Sequence, residues 1–107
     1  MFREVYNNRM ESVLTASAEV RARSKQLFGN RYMLEVCAAL NEVDYRTTLT
    51  ELLGTSGPSP SLYVGPLHRL VSAELLILDP RPDDDRRERW YRPTNTGLWR
   101  VARELAQ

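Results

Sequence analysis

Apolar positions along the chain recur mostly at three- and four-residue steps, which predicts helices, with one short break to strand periodicity. Over residues 8–27, Met10, Val13, Leu14, Ser17, Val20 and Ser24 trace a helical stripe of modest hydrophobicity. Gly29-Asn30 supplies a left-handed stop. So thin a stripe suits a helix half-buried against a partner subunit better than a core helix. Residues 31–42 are stronger: Tyr32, Leu34, Val36, Cys37, Ala39 and Leu40 predict an apolar helix central to the core. Thr48 with Glu51 three residues on is a capping-box pattern opening a short third helix, whose apolar face is Leu49, Leu52 and Leu53 and whose end is Gly54.

Thr55-Ser56-Gly57-Pro58 reads as a turn. Ser59-Pro60 then places a capping residue before a proline in the first helical position, predicting a fourth helix over residues 59–75. Its inward face is Tyr63, Leu67, Leu70 and Val71, with Leu75 at the far end. Pro66 removes a backbone hydrogen bond inside that helix, so a kink or a late regular start is expected. Leu76-Ile77-Leu78 predicts a short strand stopped by Asp79-Pro80-Arg81-Pro82. A polar loop, Asp83-Asp84-Asp85-Arg86, leads to a returning strand over residues 87–92. Its alternation puts Arg87, Arg89 and Tyr91 on one face and Trp90 on the other. Thr94 or Thr96 caps a last helix, residues 96–106, with Leu98, Val101, Ala102 and Leu105 on one side. The expected fold class is mainly α with a small β-hairpin, α+β, in a single domain spanning residues 1–107.

The length supports that reading, because 107 residues hold one core and a dimer interface commonly supplements so small a one. No apolar run nears the roughly 20 residues of a membrane helix, and the first residues lack the apolar stretch of a signal peptide. A single cysteine, Cys37, permits no intrachain disulfide and fits a reducing compartment. The expected location is the cytoplasm. Fifteen basic residues face fourteen acidic ones, a net charge of +1, which is not the profile of a general nucleic-acid coater. Any contact with nucleic acid must use locally placed charge. All the basic residues except Lys25 are arginines, whose planar, permanently charged fork suits phosphate and base edges.

A short helix, a four-residue turn and a second helix form the unit used for helix-turn-helix DNA recognition, and a hairpin straight after it makes the winged form. The stretch from Leu27 to Val36, Leu-Phe-Gly-Asn-Arg-Tyr-Met-Leu-Glu-Val, resembles the entry to the core helix of bacterial regulators of the ArsR and MarR type. Leu67 to Leu76, Leu-His-Arg-Leu-Val-Ser-Ala-Glu-Leu-Leu, resembles their recognition helix running into the first wing strand. The resemblance covers residues 27–107. It implies a winged helix-turn-helix fold and sequence-specific binding of double-stranded DNA as a homodimer in transcription regulation. ArsR-type metal sensors carry a cysteine pair on the helix before the turn, whereas Leu49-Thr50-Glu51-Leu52 has none, so the metal-sensing role does not carry over.

The resemblance implies that the exposed face of the fourth helix enters the major groove, whose edges distinguish all four base pairs. The candidates there are Ser59, Ser61, Val64, Gly65, His68 and Arg69. Ser61 suits a base edge or phosphate, Val64 a thymine methyl, and His68 or Arg69 a phosphate. The competing reading makes these residues simply the solvated side of a core helix. At the wing, Arg86, Arg87 and Arg89 suit the backbone or a narrow minor groove. Asp83 to Asp85 beside them leave open a loop whose charges pair locally. Residues 31–75 carry three arginines against five acids, net −2, which predicts weak binding to random DNA.

Catalysis and metal binding have little to draw on. One histidine and one cysteine make neither a metal site nor a nucleophile–base pair, and the carboxylates scatter. Cys37, between Val36 and Ala38, reads as a small core residue, and no enzyme activity, metal or redox cofactor is expected. Trp90 and Trp99 are expected to pack the wing on the last helix, with an aromatic ligand pocket as the alternative. The terminal helices, 8–27 and 96–106, are the candidates for dimerisation. The rival to the DNA reading is a winged-helix module that binds a basic protein through its acidic surface.

Overall fold

The computed structural model describes residues 17–54, 59–80 and 89–107. Five helices and one antiparallel hairpin are present among them: α1 (Ala18–Phe28), α2 (Met33–Leu40), α3 (Leu49–Leu53), α4 (Ser61–Ser72), β1 (Leu76–Leu78), β2 (Tyr91–Pro93) and α5 (Leu98–Leu105). The mainly helical α+β class expected from the periodicity is therefore observed. Met10, Val13 and Leu14, the turn at 55–58, and Asp83, Asp84, Asp85, Arg86 and Arg87 lie outside the described residues.

The fold is built around α2. Leu34, Val36, Cys37, Ala39 and Leu40 are all buried, as their continuous apolar pattern demands. The most extensive helix packing is α5 on α2, through buried Trp99 and Ala102, followed by α1 on α2. Buried Tyr63, Leu67 and Leu70 bring α4 onto the same core, and α3 adds Leu52.

The terminal helices differ from the expectation in two respects. Ser17 is not inside a helix running from residue 8. Its backbone is extended (ψ 166°), and its hydroxyl accepts from the Val20 N–H at 3.1 Å, so it caps a helix starting at Ala18. Serine competes for backbone donors in this way, which ends a helix that apolar spacing alone would continue. Val20 and Ser24 then turn into the chain's own core rather than toward a partner. Ser24 ties the turn together, donating to the Asn30 carbonyl (2.5 Å) and accepting from the Leu34 N–H (2.9 Å). On α5, Val101 is 46% exposed instead of joining Ala102 inside. The α5 start has no capping side chain at Gly97, although Thr96 Oγ1 accepts from the Leu98 N–H at 3.3 Å.

Local stops follow their sequence signals elsewhere. Gly29 ends α1 at φ 72°, its N–H on the Lys25 carbonyl. Thr48 caps α3 by accepting from the Glu51 N–H at 3.1 Å. The reciprocal half of the capping box is absent: the Glu51 carboxylate accepts from the Thr47 hydroxyl instead, at 3.3 Å.

The fourth helix is shorter than residues 59–75 at both ends. It begins at Ser61 with Pro60 as its N-cap residue and no side-chain cap, while the Ser59 carbonyl takes the Leu62 N–H. It continues through Pro66 to Ser72, and Pro66 lies buried on the inner side. It closes in a Schellman turn: Leu75 N–H donates to the Leu70 carbonyl and Glu74 N–H to the Val71 carbonyl, both 3.0 Å. Glu74 occupies the left-handed position at φ 64°, where a side chain costs about 1–2 kcal/mol. Glu74→Gly should therefore raise stability by about 1 kcal/mol, read as a melting temperature several degrees higher.

The hairpin pairs Leu76 with Pro93, Ile77 with Arg92 and Leu78 with Tyr91. Its second strand starts at Tyr91, not at residue 87. Thr47 and Tyr91 exchange two backbone hydrogen bonds of 2.8 Å, so the segment before α3 joins the hairpin as a one-residue third strand. The Thr94 hydroxyl donates to the Leu75 carbonyl (2.7 Å) rather than capping α5.

Candidate nucleic-acid interface

Helix α4 has a buried side defined by Tyr63, Pro66, Leu67 and Leu70, and this fixes where its other residues point. Ser61, Val64, Gly65, His68 and Arg69, all candidates from the sequence, are exposed, as is Ser59 ahead of the helix. They do not form one surface. Val64 and His68 lie on the flank toward the hairpin and help line a cleft of about 480 Å³ between α3, α4 and the hairpin. Arg69 is on the opposite flank, its guanidinium reaching the Phe28 carbonyl at the end of α1 (3.4 Å). Ser61 and Gly65 stand between, farthest from the core, and the hydroxyls of Ser59 and Ser61 meet at 3.1 Å.

Gly65 has no evident role inside the fold. It lies in mid-helix at ordinary helical backbone angles, and a Cβ built on it meets nothing within 4 Å. A mid-helix glycine costs about 0.8–1.0 kcal/mol relative to alanine. The bare backbone on the outermost face of α4 thus permits close approach by something outside the chain.

The hairpin contributes Arg89, which lines the same cleft as Val64 and His68. Arg92 is engaged differently: its Nε donates to Asp79 Oδ1 at 2.6 Å, which raises its pKa. Arg46 approaches the other Asp79 oxygen (4.0 Å) and stacks 4.2 Å over Trp90. Trp90 therefore packs under a cation at the base of the hairpin, not against the last helix. Trp99 does hold the hairpin to that helix, its indole N–H donating to the Thr94 carbonyl at 2.8 Å.

The position of α4 is set by a buried polar network that the sequence pattern did not reveal. Glu35, on the apolar helix α2, is only 2% exposed. Its carboxylate accepts from Arg21 Nε on α1 (2.8 Å) and from the Tyr63 hydroxyl on α4 (2.9 Å). Tyr32 seals the group, lying 5.1 Å beneath the Arg21 guanidinium and edge-on to Tyr63 at 5.4 Å. Burial, then the hydrogen bond to Glu35, raises the Tyr63 pKa, so the hydroxyl keeps its proton and donates. The bond from Glu35 likewise raises the pKa of Arg21. One signal was available: a lone acid in Met-Leu-Glu-Val-Cys-Ala-Ala-Leu needs a cationic partner if buried.

Pairing also alters the charge count. Glu35 is neutralised by Arg21, and Glu42 by Arg103 on α5, both arginines lying outside residues 31–75. With these two included, five arginines face five acids, and no acid lies within Ser61–Ser72. The net-negative reading of this region thus weakens once the fold is known.

Cys37 is fully buried, and burial pushes its thiol pKa up to about 12. It should resist thiol reagents at neutral pH and react only at the rate of unfolding. Its contribution to stability is full below the ordinary thiol value and declines as pH rises toward about 12, because only the unfolded chain ionises easily there. Following Ellman's reagent alongside the circular dichroism of unfolding checks this; rapid labelling of the folded chain would contradict it.

Among the described residues no helix is long and apolar enough to cross a membrane, and no three His, Cys, Asp or Glu side chains cluster to hold a metal. Comparison with profiles of known protein families, with curated proteins and with solved structures finds no match to this chain.

Proposed function

We propose that the protein is a winged helix-turn-helix regulator that binds specific double-stranded DNA as a homodimer, with α4 as recognition helix and the hairpin as wing. The observation that carries this reading is the outer face of α4. It combines hydroxyls, an imidazole, a small apolar side chain and an otherwise unexplained glycine, with no acid, beside a hairpin bearing Arg89. The element order supports it: α2, the strand residue Thr47, α3, α4 and the hairpin follow the winged arrangement. A helix with one apolar side on the core and one small polar side outward fits a major groove about 12 Å wide.

In this reading Ser61, Val64 and His68 read base edges, and the bare backbone at Gly65 lets the helix seat deeply. Arg89, with Arg86 and Arg87, follows the phosphate backbone or the minor groove. Dimerisation uses the outer faces of the terminal segments, since the inner faces of α1 and α5 cover α2. Leu27 and Val101, 55% and 46% exposed, are the apolar side chains left for it. Two recognition helices about one DNA turn apart would select a pseudo-palindromic site.

Selection of bound sequences from a random duplex pool tests the proposal. It should enrich an inverted repeat with half-sites about 10 base pairs apart, centre to centre. Recovery of an unbiased pool would refute sequence-specific recognition.

A further inference from the structure

The cleft between α3, α4 and the hairpin has a composition of its own. Leu49, Leu53, Val71, Leu78 and Tyr91 line it and are only half-buried, so these apolar surfaces are not covered by the chain's own core. Its polar lining includes Arg89, a permanent cation, together with His68 and the exposed Thr50. Among the described residues no acid lines it. A volume of about 480 Å³ falls within the range of small-molecule sites, which are mostly apolar with a few convergent polar groups.

We propose that this cleft binds a small amphipathic anion, an aryl carboxylate in chemical class, and that its occupancy displaces DNA. The apolar walls and the Tyr91 ring take the aromatic body, and Arg89 takes the carboxylate in a charge-assisted hydrogen bond. A neutral ligand would leave Arg89 unanswered, and a cation would be repelled by it. Displacement of DNA follows from shared residues, because Val64, His68 and Arg89 line the cleft and also belong to the recognition surface. That second half rests on the DNA-binding reading; the first does not. A ligand that binds only the DNA-free form lowers apparent DNA affinity by mass action.

The test is calorimetric titration of the full chain with naphthoate, with naphthamide as its uncharged counterpart. Expected is one site per chain with a dissociation constant in the tens to hundreds of micromolar. Naphthamide should bind at least about tenfold more weakly, in keeping with a lost charge-assisted hydrogen bond. Arg89→Ala should erase the difference between the two probes, and Val64→Glu, at an exposed position, should abolish naphthoate binding while helical content is unchanged. Saturable naphthoate binding that raises the apparent dissociation constant for duplex supports the whole proposal. Binding that leaves duplex affinity unchanged overturns the regulatory half, and absence of saturable naphthoate binding overturns the site itself. If naphthoate binds but no duplex does, the cleft stands and the regulator reading fails.

Discussion

Arg21→Ala is expected to destabilise the fold by about 3 kcal/mol, a large share of the stability of a small domain. The change leaves the Glu35 carboxylate 2% exposed with no cation beside it. Removing one partner of a buried pair typically costs about 3–5 kcal/mol, and the lower end applies because Arg21 itself keeps 27% exposure. Glu35→Gln should cost less than Arg21→Ala, since the amide oxygen still accepts from Tyr63 and no buried charge remains. Tyr63→Phe should fall below both, as it removes one hydrogen bond and leaves the Arg21 pair intact. Urea unfolding of the three variants measures the order. An Arg21→Ala midpoint matching the parent's would mean that the network does not hold α1, α2 and α4 together.

Gly65→Glu is expected to leave the fold at least as stable while removing most DNA affinity. The position is exposed and a Cβ there meets no neighbour, so the core gives no reason for loss. Replacing glycine inside a helix should instead stabilise by a few tenths to about 1 kcal/mol. A carboxylate on the outermost face of α4 would be pressed toward phosphates and base edges, where like charges cost on the order of 2–3 kcal/mol. That corresponds to roughly 30- to 150-fold weaker binding. Gly65→Ala separates shape from charge: it should raise the melting temperature and still weaken binding through lost close approach. Thermal melts and fluorescence anisotropy with a selected duplex measure both quantities. A Gly65→Glu chain that binds as the parent does would place recognition off this face.

Much of the fold was legible because α2 is apolar almost throughout and cannot lie anywhere but inside. Gly29, the Thr48 hydroxyl and the Leu76–Leu78 strand were equally readable, since each rests on a local conformational preference. What escaped depended on side chains finding partners far along the chain. Ser17 looked like one more stripe position until its hydroxyl capped α1. Glu35 looked like a solvated helix residue, yet its partners lie 14 and 28 positions away. Trp90 looked like a hairpin-to-helix contact, but Arg46 reaches it first. The candidate site was legible as a set of exposed residues on α4. Its division into a flank facing the cleft, an outer face and a flank held to Phe28 was not, because this follows from how α4 is rolled on the core.

The central claim is that the chain meets DNA through phosphate contacts as well as base edges. Its most direct test is duplex affinity measured across a range of salt concentrations. The account predicts that the logarithm of the binding constant falls linearly with the logarithm of salt concentration, with a slope that flattens when Arg86, Arg87 and Arg89 are replaced together by alanine. Absence of any salt-dependent affinity for duplex DNA, even at low ionic strength, would contradict it.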